Sequence, residues 1–166
     1  MATIPPAGNK FDFYAVNGVA NLAVIPGGTH KAQPADAPIR LQRGDPGWGA
    51  IHIAQKHDHW LAKNSMEVHE IVWTKLQQQG GIYSTEEEDK FKISLRLSPS
   101  ALLILRLIPR SLPFFTVVSI YLHPSELDGE HIGKYFGSGT TGPVPALCLP
   151  APPQPPKITY KRKLVR

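Results

Sequence analysis

The chain has a single cysteine, Cys148, in 166 residues. That excludes an intrachain disulfide and any zinc site built on paired cysteines, and nothing in the sequence demands an oxidising compartment. Long apolar runs are missing too. The longest, ALLILRLIP from Ala101 to Pro109, is interrupted by Arg106 and is far shorter than the ~20 residues a spanning helix needs. The opening MATIPPAGNKFDFYAV lacks the basic stretch and apolar core of a signal peptide. The expectation is a soluble protein with no membrane span, one that leaves its cell only as cargo of something larger. There is no internal repeat, and the length suits one compact domain with tails.

Acidic residues are absent from one region in particular. Lys90 to His123 carries Lys90, Lys92, Arg96, Arg106 and Arg110 and no Asp or Glu; the nearby acids sit outside it, in Glu86 to Asp89 and in Glu126, Asp128 and Glu130. The formal charge of +5 comes from the last ten residues, KITYKRKLVR, which hold five Lys/Arg. A basic strand region suggests a polyanionic partner, nucleic acid first, while a solvated sheet face explains the same composition without one.

FDFYAV and VANLAVI flank Asn17-Gly18, residues that tolerate the positive φ of a two-residue turn, so Phe11 to Ile25 reads as a β-hairpin. A Gly- and Pro-rich connection of about twenty residues follows. Ile53, His57, Trp60 and Leu61 then fall on one helical face. Asn64 stands three before Glu67 as a capping box, opening a second helix through Val68, Ile71, Val72 and Leu76 that Gly80-Gly81 should end.

KFKISLRLS alternates, with Phe91, Ile93, Leu95 and Leu97 opposite Lys92, Ser94 and Arg96. ALLILRLIPR and FFTVVSIYLH follow after short connections, which favours an antiparallel meander. Strict alternation in the third strand would set Thr116, Val118, Ile120 and Leu122 against Ser119, Tyr121 and His123. The expected fold is α+β: an N-terminal hairpin and long loop, two helices, then a twisted antiparallel β-meander with the helices packed on one face. Residues 1–43 form the hairpin and loop, 44–136 the core, and 137–166 a Gly/Pro-rich linker and basic tail. Seven prolines between Pro143 and Pro156 favour extended polyproline conformation there, and KITYK is either disordered or a late edge strand.

The most distinctive stretch is GDPGWGAIHIAQKHDHW, Gly44 to Trp60, which gathers His52, Lys56, His57 and His59 at a helix start. A metal site would need His52 and His59 on one face, completed by His69 or Asp58; no HExxH or comparable string accompanies them, and no metal or cofactor is expected. His57 shares the apolar stripe with Ile53 and Leu61, which fits a core role as well as a catalytic one. His59, His69 and His30 read as solvent-facing.

GWGAIHIAQKH, followed by two helices and a meander ending TVVSIY, resembles the catalytic domains of the barnase, EndoU, colicin and RelE-like nuclease superfamily, notably those carried as C-terminal toxins of bacterial secreted proteins and on phage structural proteins. The resemblance covers Gly44 to Tyr121 and rests on Gly47, Gly49, His52-Ile53, Lys56-His57, Arg96 or Arg106, and Ser119 with Tyr121, Ser119 standing where those families usually have Thr. It implies a ribonuclease that needs no metal: the ribose 2′-oxygen attacks the adjacent phosphate and leaves a 2′,3′-cyclic end. His52, His57, Arg96, Ser119 and Tyr121 would be catalytic, and Lys56, Lys92, Arg106 and Arg110 would bind substrate. Imidazole suits the proton transfers and Arg the phosphate. The phosphate contact stays open among Arg96, Arg106 and Arg110, and the second acid/base among His57, His123 and His131. Implied partners are RNA, tRNA among the candidates, and an acidic immunity protein. The resemblance also implies production in a bacterial cytoplasm and delivery into a target cell within a larger secreted protein. The alternative is a non-catalytic nucleic-acid-binding module or a phage or structural adaptor.

Overall fold

The computed structural model of the protein describes residues 8–85, 91–98, 101–122 and 129–137. His123, Cys148, the proline-rich segment and the basic tail lie outside them. The fold is α+β, with three helices packed against a curled, mixed seven-stranded sheet. The strands are β1 (Ala23–Ile25), β2 (Ala37–Arg40), β3 (Gly80–Ser84), β4 (Lys92–Leu97), β5 (Ala101–Ile108), β6 (Phe114–Tyr121) and β7 (His131–Tyr135), in the order β1-β2-β6-β5-β4-β3-β7. The three expected meander strands are antiparallel neighbours in sequence order.

The helices are α1 (Gly49–Lys56), α2 (Asp58–Asn64) and α3 (Val68–Leu76). One expected helix is therefore broken in two at His57, whose φ of −117° and ψ of 22° leave the helical region. The imidazole of His57 is held by the Ile120 carbonyl, and Asp58 places an acid in the first turn of α2. The capping box lies three residues later than expected: Glu67 accepts from the backbone of Glu70, whose carboxylate accepts from the Glu67 amide at 2.8 Å. Asn64 instead donates to the Trp60 carbonyl.

The Asn17-Gly18 turn is present, with both φ values positive and Val16 bridged to Val19. Its arms do not continue as a hairpin. Phe13 bridges Gln42, and β1 pairs with β2, so both arms use the segment read from sequence as irregular connection. That segment contains β2, which pairs in parallel with β6 and ties the N-terminal region into the sheet. Gly80-Gly81 opens β3 rather than ending α3, because a Cβ at Gly80 would run into the Arg96 carbonyl across the strand pair. The last strand, β7, was not legible. It is secured by Tyr135, whose hydroxyl donates to the Leu76 carbonyl at 2.5 Å.

The core lies between the helices and one sheet face. Ile53, Leu61, Ile71 and Leu76 meet Ile93, Leu95, Leu103, Leu105, Phe115, Val117 and Ile120, all essentially buried. Burial on this scale is the main force holding helices to sheet.

Candidate functional site

The sheet face away from the helices carries the polar residues, and its layout depends on one irregularity. Between Ile104 and Leu105 the β5–β6 register shifts, Ile104 facing Ser119 and Leu105 facing Val117, so Val118 is the extra residue of a bulge. The shift reverses the alternation along β6. Thr116, expected on the apolar face with Ile120 and Leu122, lies opposite Arg106 on the polar face, and Val118 is half-buried at the bulge.

Three rows cross β4, β5 and β6: Lys92, Arg106 and Thr116; then Ser94, Ile104 and Ser119; then Arg96, Leu102 and Tyr121. Arg40 extends the first row from β2, its guanidinium buried over the rings of Phe13 and Phe114 and its Nε–H donating to Asn21 at 2.6 Å.

Helix α1 packs on β6, and its Lys56 reaches the second and third rows. Lys56 Nζ lies 3.4 Å from Ser119 Oγ and 3.2 Å from the centroid of the Tyr121 ring, a cation held on an aromatic face beside a hydroxyl. His52 is one turn earlier on the same helix face, where i and i+4 residues are neighbours. Its Nδ1–H donates to the Pro46 carbonyl at 2.8 Å, which leaves the Nε2 lone pair pointing away from that bond. The loop offering this carbonyl is a closed turn. Asp45 and Trp48 exchange backbone hydrogen bonds, and the Asp45 carboxylate accepts from the Gly47 amide at 2.9 Å and from Trp48 Nε1–H at 3.2 Å.

His57 faces inward and donates Nε2–H to the Ile120 carbonyl at 2.7 Å, joining the end of α1 to β6. Burial first, with smaller contributions from Lys56 and His52, pushes its pKa below the ordinary histidine value, against the opposing pull of the carbonyl. The folded chain therefore takes up its His57 proton at lower pH than the unfolded chain does. Stability from this group is intact above pH ~6.5 and falls as pH drops from there through the lowered folded value. Thermal melts at pH 7.5 and pH 5 should show wild type losing more stability on acidification than His57→Gln does; equal losses would show that the imidazole is not held neutral.

The remaining sequence candidates separate. Lys92, Arg106 and Arg110 come together around a cavity of about 290 Å³ that Lys10, Phe11, Trp48 and Thr116 also line. Arg96 does not join them; it is exposed beside Gly81, two strand spacings or roughly 10 Å from Tyr121. His131 is edge-on to Tyr83 at 5.2 Å on the far side of the sheet, four strand spacings or roughly 19 Å from β6. His69 stacks on Tyr14 and contacts Glu67, and His30 stacks on Phe91. Among the described residues no three of His, Cys, Asp and Glu converge as a ligand set, and no helix is long and apolar enough to cross a membrane.

Sequence reasoning missed Thr116, Lys10, Phe11 and Trp48. The Asp-Pro-Gly-Trp string was a usable signal for Trp48, since an Asp that caps its own turn fixes the residues after it. The others depend on the bulge and on a contact between distant segments. Comparisons of the chain with family models, curated proteins and solved structures find no match.

Proposed function

We propose that the chain is a metal-independent endoribonuclease related to the barnase, EndoU, colicin and RelE-like toxins. One observation carries this reading: a Lys56 ammonium fixed between Ser119 and Tyr121, on the same helix face as a His52 whose Nδ1 is anchored to Pro46, beside a cavity bordered by cations. His52 Nε2 takes the proton of the ribose 2′-hydroxyl as that oxygen bonds to phosphorus. Lys56 faces the phosphorane and stabilises its added negative charge, and the departing 5′-oxygen takes a proton from the same ammonium as the P–O bond breaks. Ser119 and Tyr121 position Lys56. His57, its Nε2–H committed to Ile120, supports the helix rather than the chemistry.

The test is incubation of the purified chain with total RNA in EDTA. Cleavage to 2′,3′-cyclic phosphate ends is the expected result. RNA bound but uncut would favour the binding-module reading that the clustered Lys92, Arg106 and Arg110 also suit, and cutting only after a divalent metal is added would overturn the metal-free mechanism. On this reading the chain's natural inhibitor is an acidic protein that mimics phosphate against Lys56 and the cavity cations, with association that weakens as salt rises.

A further inference from the structure

We infer that the cavity between the N-terminal segment and β4–β6 is a pocket for one nucleoside monophosphate unit, with the phosphate on the Lys92–Arg106 side and the base against Trp48.

The charge argues for an anion. Lys10, Lys92, Arg106 and Arg110 all border the cavity; among the described residues no carboxylate lines it, and the Asp45 carboxylate outside the lining pairs with Lys10 at 3.8 Å. Lys92 and Arg106 are direct cross-strand partners, so two basic side chains from neighbouring strands stand side by side on the cavity wall. Thr116, the next residue in that row, is 3% exposed and lines the cavity, and its Oγ1 has no hydrogen-bond partner among the described residues. A buried hydroxyl without a partner is costly, and a phosphate oxygen or sugar hydroxyl would satisfy it.

The walls argue for a base. Trp48 is pinned through Nε1–H to Asp45, and Phe11 lies 6.2 Å from it at a 36° tilt, with Lys10 over the Phe11 ring. A fixed indole beside a second ring is a stacking platform that tolerates any base. The volume of about 290 Å³ is at the small end for ligand pockets, suited to one nucleotide rather than a long strand. Lys10 and Phe11 belong to the N-terminal segment, outside the stretch that resembles the nucleases, so this wall is the chain's own. Thr116 and Ser119 are three residues apart on one strand, which would put the pocket one nucleotide from a phosphate at Lys56; that placement, unlike the pocket itself, rests on the ribonuclease reading.

The experiment is calorimetric titration of the full chain with AMP, GMP, CMP and UMP, with inorganic phosphate and the matching nucleosides as separate arms, and tryptophan fluorescence read in parallel. At least one monophosphate should bind saturably and quench fluorescence in wild type but not in Trp48→Phe. Phosphate alone and nucleoside alone should bind at least about tenfold more weakly, and Arg106→Gln should weaken the monophosphate about tenfold or more. Thr116→Val should lose affinity without a lower melting temperature, whereas Arg96→Gln, off the cavity, should bind as wild type does. No saturable binding, equal affinity for inorganic phosphate and nucleotide, or an unaffected Arg106→Gln protein would each overturn the inference. Nucleotide binding without RNA cleavage would leave the pocket standing and remove the ribonuclease reading; RNA cleavage without nucleotide binding would do the reverse.

Discussion

His52→Ala is expected to lower the rate of RNA cleavage by about 10²-fold to 10⁴-fold, the usual contribution of a positioned acid or base, while leaving the melting temperature close to wild type. The two halves of this expectation have separate causes. The side chain lies at the solvent-facing start of α1 and makes one hydrogen bond, to the Pro46 carbonyl, so its loss opens no cavity in the core. That same bond fixes the ring with Nε2 outward, the orientation that proton abstraction needs. Single-turnover cleavage of a defined RNA, measured beside a thermal melt, separates chemistry from folding. A fully active His52→Ala protein would take the base role from this residue. A protein that is inactive because it is unfolded would contradict the assignment of His52 to the surface.

Gly44→Ala should produce the largest loss of stability that a single methyl can cause in the site. Gly44 has φ +69°, and a Cβ there would run into the Trp48 carbonyl oxygen and the backbone of Gly49. Its amide also donates to the Lys10 carbonyl at 2.7 Å, so the residue joins the N-terminal segment to the turn that carries Trp48 and precedes His52. Left-handed backbone strain combined with a backbone clash should cost roughly 2–4 kcal/mol, lowering the melting midpoint by roughly 5–15 °C for a chain of this size. Gly47→Ala in the same loop is the control. Its φ is not in the left-handed region, and its nearest contact would be an Asp45 carboxylate oxygen at 3.3 Å, so it should be nearly neutral. Urea denaturation of both variants checks the pair, and equal stabilities would show that the turn tolerates a side chain at Gly44. In a Gly44→Ala protein still folded at low temperature, Trp48 fluorescence and RNA cleavage should change together, because the turn that holds the indole also holds the His52 acceptor.

What the sequence determined by itself was whatever depends on neighbours along the chain. Ile93, Leu95 and Leu97 alternate with Lys92, Ser94 and Arg96, and the period of two is a property of the extended backbone, so the two faces of β4 could be read directly, although Ser94 on the face read as wet is buried. The helical spacing of Val68, Ile71, Val72 and Leu76 on α3, and the turn at Asn17-Gly18, were legible for the same local reason. His52 and Lys56 could be recognised together because they lie one turn apart in sequence on α1, with His57 next along the chain.

Only the tertiary structure decided which of them face one another. His57 gained its inward position from its bond to Ile120, 63 residues away, and Lys56 its fixed position from Ser119 and Tyr121 at similar separation. Strict alternation put Thr116 on the wrong face because a bulge adds one residue without any local mark in an apolar run, and every side chain on one side of it then changes face. Arg96, Arg106 and Arg110 are equivalent by composition; the β4–β5 register alone sets Arg106 beside Lys92 and leaves Arg96 two rows away. Strands β2 and β7 escaped notice because each is short and is stabilised by its partners, β6 and β3, rather than by its own residues. Register and long-range pairing are settled by burial summed over the whole chain, and no short window of sequence contains that sum.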